Sequence, residues 1–339
     1  MYSPEEMKLA LVVFSLCSRF ISRIKNFLYD RSFIKPRRAP LPVISVGNIS
    51  LGGTEKTPLA MELLSRLVAL GRRPALISRG YKGRWEKTGG VLSDGRAILG
   101  TWQDGGDEPY LIARSFPTVG VYVGKERLTS CQRAAEAGFD IAVLDDGFQH
   151  RRLARDLDIV LYSSEEKTAL RETLSALHRS DVLLVKAREE KDRAIDRLGS
   201  RWTGGIFTYS VVTRSISDLR TSERLPAERL AKRRLLAFCG IARPGRFVET
   251  LREAGLDVVA FLPFPDHHPY PPVSREKIIR ACRSQRADAL ITTGKDAVKI
   301  ADRHEEWGDI SVYVLEIRLA IEPGFDDRWR AFLEKQRTA

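Results

Sequence analysis

A chain of 339 residues with 43% hydrophobic and 29% charged content is globular and long enough for two domains, which excludes a disordered or fibrous polypeptide. Its formal charge of +12 favours anionic partners such as nucleotides, phosphorylated substrates, nucleic acid or an acidic membrane surface. Cys17, Cys131, Cys239 and Cys282 are widely separated and form no Cys-x-x-Cys pair, so neither a zinc site nor a disulfide framework is indicated, and a reducing cytosol is the simplest home.

Near the N-terminus, Leu9, Val12, Val13, Leu16, Phe20, Ile24, Phe27 and Leu28 recur at helical spacing, with Ser15, Ser18, Arg19, Ser22, Arg23 and Asn26 on the opposite face. The uninterrupted apolar run ends at Ser15, short of the ~20 residues a bilayer span needs. With Arg31, Lys35, Arg37 and Arg38 following, the pattern suits an amphipathic helix lying on an anionic membrane surface. A core-packing helix is the alternative. Glu5 and Glu6 spoil the positive region of a signal peptide.

From residue 41 onward short apolar runs alternate with helical patterns. Strands are expected at Val43 to Val46, Ala75 to Ser78, Thr118 to Val123, Ile141 to Leu144, Ile159 to Tyr162, Val182 to Val185 and Ile206 to Val212. Helices such as Pro58 to Leu70 and Glu126 to Ala137 lie between them, the signature of parallel β-α-β units. A polar, Arg-rich segment, Thr213 to Arg234, has no clear apolar period and reads as a linker. The pattern then restarts with Leu235 to Cys239, Val258 to Leu262, Ala289 to Thr292 and Val312 to Ile317. The expected organisation is an interfacial helix and basic segment (1–38), a doubly wound α/β domain (39–215), a linker (216–234) and a smaller α/β domain (235–339).

Between the first expected strand and the first helix lies "SLGGTEKTP", Ser50 to Pro58. A strand, a glycine-rich turn and a helix start form the setting of a phosphate-binding loop, whose backbone N–H groups and helix N-terminus face the phosphates. Gly52 and Gly53 permit close approach, Lys56 would reach the β and γ phosphates, and the Thr57 hydroxyl would bind magnesium. Glu55 stands where the usual pattern has glycine, so a turn with no ligand stays open as the alternative. A second stretch, "DIAVLDDGFQH", delivers Asp145 and Asp146 to the carboxyl edge of a strand, where ligands bind in open α/β sheets and where a hard cation wants carboxylates. Three weaker clusters accompany these: "SRGYKGR" with Arg79, Lys82 and Arg84, "DGGDEPY" with Asp107 and Glu108 before a helix that Pro109 can open, and "FPDHHPYPP" with Asp266, His267 and His268.

Together with "LRETLSALHRSDVLLVK", "GIARPGRF" and "TTGKDAVKI", these stretches run in the order seen in the tetraacyldisaccharide 4'-kinases of Gram-negative bacteria, and nearly the whole chain resembles that family. The resemblance implies an unusual P-loop NTPase-like kinase of two α/β domains with an N-terminal helix on the inner membrane's cytoplasmic face. It implies transfer of the ATP γ-phosphate to the 4'-hydroxyl of a lipid-linked glucosamine disaccharide 1-phosphate, with ATP and Mg²⁺ as cofactors and no nucleic acid as partner. Carried over by motif, Ser50, Leu51, Gly52, Gly53, Thr54, Glu55, Lys56 and Thr57 form the nucleotide loop. Thr57, Asp145, Asp146 and Glu172 surround the metal, and Asp107 is the base for the sugar hydroxyl with His267 as its partner. Two positions depart from the family: Glu55 replaces a glycine, and Gly294 replaces the glutamate of a later Thr-Glu-Lys-Asp-Ala motif. Glu55 therefore also supports a different expectation, a P-loop pseudoenzyme serving as a membrane-surface binding module.

Overall fold

The computed structural model describes residues 20–50, 55–163, 170–186, 188–199 and 202–337. A helix, α1, covers residues 20–30. The strands follow as β1 Val43–Asn48, β2 Pro74–Ser78, β3 Gly90–Asp94, β4 Gly120–Val123, β5 Ile141–Asp145, β6 Leu157–Tyr162, β7 Val182–Val185, β8 Gly205–Asp218, β9 Arg224–Leu225, β10 Arg234–Cys239, β11 Asp257–Pro263, β12 Ala289–Thr293 and β13 Val312–Ile321. The helices are α2 Lys56–Ala69, α3 Trp102–Gly105, α4 Asp107–Ser115, α5 Arg127–Glu136, α6 Arg188–Leu198, α7 Pro244–Glu253, α8 Pro272–Ser284, α9 Gly294–Ile300 and α10 Gly324–Arg337.

The strands join in one sheet of order β11-β10-β12-β13-β8-β7-β6-β1-β5-β2-β4-β3, with β9 beside β8. Pairing is parallel except at β3 with β4, β8 with β9 and β8 with β13. This is the mostly parallel α/β architecture expected from the alternating pattern. Each strand from β5 to β7, like β1, is buried along its whole length, which is why these segments read as continuous apolar runs. Helix α2 packs Leu59, Ala60, Leu63, Leu64 and Leu67 into the core formed with Ile44, Val46 and Val143. A second core lies around β10 and β12, with Leu235, Ala237, Phe247, Leu251 and Ile291.

Strand β8 connects the two cores. It pairs in parallel with β7 through Gly205 to Thr208, then antiparallel with β13 from Tyr209 opposite Ile321 to Asp218 opposite Tyr313. Because β13 runs back along β8, and β12 and β10 run parallel to β13, the carboxyl edges of the two parallel regions face one another. Ligands bind at such edges, so the topology makes one cleft from two of them.

Two expectations need correcting. Residues 213–218, read as the start of a linker, are strand. Only Tyr209 and Ile216 of β8 are fully buried, so this strand is half solvated and carries polar residues where a core strand would alternate. Ser215 donates to Glu316 across the pair at 2.8 Å, a contact that hydropathy cannot reveal. The helices were also expected to open at Pro58 and Pro109. Both begin two residues earlier, at Lys56 and Asp107, with the proline inside the first turn, where its missing N–H costs no intrahelical bond. Strands β3 and β9 had no sequence signal.

Candidate active site

The phosphate-loop residues converge at the carboxyl end of β1, although Leu51, Gly52, Gly53 and Thr54 lie outside the described residues. Ser50 is buried and its hydroxyl accepts from the Asn48 amide at 3.3 Å. Lys56, in the first turn of α2, donates to Asn48 Oδ1 at 3.3 Å and pairs with Asp146 Oδ1 at 3.2 Å. Thr57 follows it at the helix N-terminus, half-buried. Gly47, one residue before the strand's end, has no room for a side chain: a Cβ there would lie 2.5 Å from that of Phe148 and 2.9 Å from its amide nitrogen. This contact seats the Asp-Asp-Gly-Phe turn directly against the phosphate-loop strand.

Glu55 is the residue that precedes α2, and its backbone is left-handed, with φ 52° and ψ 24°. Glycine accepts that conformation freely, whereas an L-residue pays about 1 kcal/mol or more. The carboxylate lies between Lys186 Nζ at 2.8 Å, Arg246 Nη1 at 2.6 Å and the Tyr209 hydroxyl at 3.3 Å. Burial disfavours its charge, but the Lys186 hydrogen bond and the Lys186 and Arg246 charges outweigh that, and its pKa falls below the ordinary value. The acid beside the loop is thus neutralised by two cations, one from the end of β7 and one from α7. It is also a direct link between the phosphate loop and the second half of the chain.

Asp145 ends β5, and its Oδ2 accepts from Ser78 at 3.2 Å. Its Oδ1 is buried with no hydrogen-bond partner among the described residues. Burial, with the neighbouring Glu108 and Asp146 charges, pushes its pKa up. A buried carboxylate oxygen with no donor, whose charge needs compensation, is the environment a cation satisfies. Asp146, next in the chain with a left-handed φ of 52°, pairs with Lys56 at 3.2 Å and with Arg171 at 2.9 Å. Burial opposes its ionisation, yet Lys56 and Arg171 hold its pKa below the usual carboxylate range. Glu172 is buried and its carboxylate receives Arg179 at 3.0 Å and Asn26 of α1 at 2.6 Å, with Arg171 as the sequence neighbour that touches Asp146. Among the described residues no group of three or more His, Cys, Asp or Glu could hold a metal by itself. Magnesium at nucleotide sites takes much of its shell from phosphate and water, so two or three protein oxygens suffice.

Asp107 opens α4 and is 5% exposed. His267 Nδ1, 160 residues away in sequence, stands 2.9 and 3.0 Å from its two oxygens. The Asp-Glu-Pro and Asp-His-His motifs therefore meet across the cleft, and the Tyr81 ring stands edge-on to His267 at 5.6 Å. Burial alone would raise the Asp107 pKa. The His267 hydrogen bond and the charges of Lys295, Lys299 and His267 instead lower it to about 2. Lys295 pairs with Glu108 at 2.9 Å and Asp266 at 3.3 Å, and Lys299 with Asp107 at 3.3 Å. Sequence reading singled out neither lysine by role, nor Arg171, Lys186 or Arg246. Each falls within or beside a motif quoted above, but a charged residue in a motif gives no sign of which partner it will meet.

Residues 7–334 match the model of the family described as "Tetraacyldisaccharide-1-P 4'-kinase". A tetraacyldisaccharide 4'-kinase of Syntrophus aciditrophicus is 36% identical over 340 residues, covering 94% of this chain and 91% of that protein. One from Pelobacter propionicus is 37% identical, with 98% and 94% covered. Among solved structures, LpxK from Aquifex aeolicus, in a crystal form described as "apo" and in complex with ATP, superposes with a TM-score of 0.78 at 29% identity, covering 97% of this chain and 99% of that one.

Proposed function

Because this chain belongs to the tetraacyldisaccharide-1-P 4'-kinase family, we propose that it transfers the γ-phosphate of ATP to the 4'-hydroxyl of a lipid-linked glucosamine disaccharide 1-phosphate. The observation that carries this reading is the Asp107–His267 pair at 2.9 Å, formed across the same cleft that holds Lys56, Asp145 and Asp146. Phosphoryl transfer asks the protein chiefly for positioning and charge neutralisation. Lys56, at the start of α2 with that helix's N-terminal N–H groups, meets the β and γ phosphates. Thr57, Asp145 and Asp146 would hold magnesium, which supplies charge neutralisation on the phosphates. Glu172, expected around the metal, instead takes Arg179 and Asn26 on its carboxylate and is left out of this set.

As the sugar oxygen bonds to the γ-phosphorus and the bond to the β,γ-bridging oxygen breaks, ADP leaves and the hydroxyl proton passes to the Asp107–His267 pair. Asp107 alone, at about 2, is a weak base, so the pair acts as a unit: the carboxylate orients the imidazole and stabilises its charge. In this reading residues 39–215 carry the phosphate and metal groups, while residues 235–339 bring His267 and Lys295 and close the cleft against water.

Membrane association is part of the same proposal. Helix α1 exposes Phe20, Ile21, Ile24 and Phe27 on one side, and Phe33 and Ile34 extend that apolar surface beside Arg31, Lys35, Arg37 and Arg38. No described helix is long and apolar enough to cross a membrane. The exposed aromatic and aliphatic side chains beside basic ones support docking of this surface on the cytoplasmic face of the inner membrane, in the same proposal. Residues 1–19, which carry the first part of the expected amphipathic pattern, lie outside the described residues.

The pseudoenzyme reading is not supported. It rested on Glu55 in place of the loop glycine, and that carboxylate is taken up by Lys186, Arg246 and Tyr209. Purified protein in detergent micelles, given disaccharide 1-phosphate acceptor and Mg-ATP, is expected to form 4'-phosphorylated product. Asp107→Ala and Lys56→Ala should each lower turnover by at least about a hundredfold, as loss of a base or of a transition-state charge contact does. Unchanged turnover in both variants sinks these roles.

A further inference from the structure

The second half of the chain buries two charged side chains that the reaction reading leaves unused. Asp296 and Lys299, on α9, have side chains 0% and 1% exposed and pair at 3.2 Å. Lys299 also reaches Asp107 Oδ2 at 3.3 Å. Asp296 Oδ2 accepts the Gly240 N–H at 3.1 Å and the Thr293 hydroxyl at 2.7 Å. The Gly240 carbonyl in turn accepts the His267 N–H at 3.0 Å. The contacts close a ring of Gly240, Asp296, Lys299, Asp107 and His267, in which only Asp107 comes from the first half of the chain.

Gly240 has no space for a side chain, since a Cβ would lie 3.0 Å from the Pro265 carbonyl, 3.1 Å from the His268 Cβ and 3.2 Å from Asp296 Oδ1. The turn after β10, α9 and the Asp-His-His loop are therefore packed to a single spacing. Burying an ammonium and a carboxylate is a poor way to gain stability, because desolvation consumes most of the attraction and apolar residues would serve as well. The ion pair has a geometric effect instead: it directs one cation at the same carboxylate that His267 approaches from the other side.

We infer that Lys299 is a positioning residue for Asp107, anchored by Asp296 so that the carboxylate of α4 is held against His267. The inference rests on the reading of Asp107 and His267 as the proton-accepting pair. Asp107 is faced by His267 from its loop and by Lys295 and Lys299 from α9, and its Oδ1 accepts the Glu108 backbone N–H. Removing Lys299 leaves the carboxylate free to rotate away from the imidazole and takes one of the cations from its surroundings.

The test uses the full chain in micelles with Mg-ATP and the disaccharide 1-phosphate. Lys299→Met is expected to lower kcat about tenfold to a hundredfold, the usual effect of losing a residue that orients a site group. KM for ATP should stay within about threefold, since that interaction lies at the other end of the cleft. The acidic limb of the kcat profile should move to higher pH, as loss of a facing cation dictates. A merely structural role would lower Tm and the folded fraction without moving that limb. Asp296→Asn, which keeps the volume but loosens the anchor, is expected to show the same signature more weakly and serves if Lys299→Met does not fold. Unchanged kcat and an unmoved acidic limb in the folded variants overturn the inference. The underlying reading is tested separately by Asp107→Asn and His267→Gln: if these retain turnover, the proton-accepting pair is wrong whatever Lys299 does. If they lose it while the Lys299 and Asp296 variants keep theirs, only the positioning role falls.

Discussion

Glu55→Gln is the perturbation that the structure defines most sharply. The amide keeps the size of the side chain and the left-handed backbone, so the strain of about 1 kcal/mol stays while the charge is lost. Two charge-assisted hydrogen bonds, from Lys186 and Arg246, become weaker neutral contacts, and two cations lose their counter-charge. Such bonds contribute roughly 1.5–3 kcal/mol each when shielded. The Lys186 and Arg246 side chains are each 29% exposed, so solvent screening reduces the pair to a total of about 2 kcal/mol. For a chain of this length that is a fall in Tm of about 3 °C at pH 7. The sign of the pH dependence follows from the lowered pKa of Glu55. The stabilisation is complete above the ordinary carboxyl value of about 4.3 and is lost as pH falls below it, through the lower folded-state pKa. Melting curves of wild type and variant should therefore converge on acidification. Glu55→Gly loses the same bonds but relieves the strain, so its deficit should be about half. Wild type and Glu55→Gly should bind Mg-ATP within about tenfold of each other, since the carboxylate is already neutralised. Equal melting temperatures at pH 7, or a gap that does not narrow in acid, would refute the ion-pair account. ATP binding by Glu55→Gly alone would return the pseudoenzyme reading.

The remaining predictions concern the surface and the core. Phe27→Asp with Phe33→Asp should weaken sedimentation with vesicles containing anionic lipid by at least about tenfold, because Phe27 is 53% and Phe33 73% exposed on the proposed docking surface; retained binding would exclude this face. Leu63→Ala, at a fully buried position of α2, should cost about 2–5 kcal/mol in denaturant unfolding, and a loss under 1 kcal/mol would mean that the helix does not pack as described. Burial pushes the thiols of Cys131 and Cys239 up to about 12. Both should resist alkylation in the native protein and react on unfolding when followed site by site by mass spectrometry; rapid native labelling would contradict their burial.

Much of the architecture was legible because strands buried on both faces have little choice of residue. Val43–Asn48, Ile141–Asp145 and Val182–Val185 are apolar runs in sequence and buried strands in the fold. Ile206 to Val212 and Val312 to Ile317 were legible as parts of β8 and β13, but the far end of β8 was not, for the converse reason. Thr213 to Asp218 is mostly half-buried or exposed, so it carries the polarity of a linker while keeping the hydrogen bonds of a strand. The site divided in the same way. Lys56 and Asp145 stood out by their place after apolar strands, whereas Asp107 and His267, weak signals by themselves, stood out through the family resemblance of their motifs. Lys299 and Arg246 did not, since their significance lies in partners 192 and 191 residues distant, as the numbering of Lys299 with Asp107 and of Arg246 with Glu55 shows.

By itself the sequence determined that the chain forms alternating strands and helices, that a glycine-rich turn joins the first strand to the first helix, and that acids end a later strand. These follow from side-chain periodicity and backbone preference, which act over a few residues. The tertiary structure alone decided what Glu55 means. A carboxylate in a phosphate loop has no fixed sign of effect until its counter-charges are placed. The long-range pairing of β8 with β13 brings Arg246 to it and His267 to Asp107, and so turns an anomalous residue into a link between the two halves of the cleft.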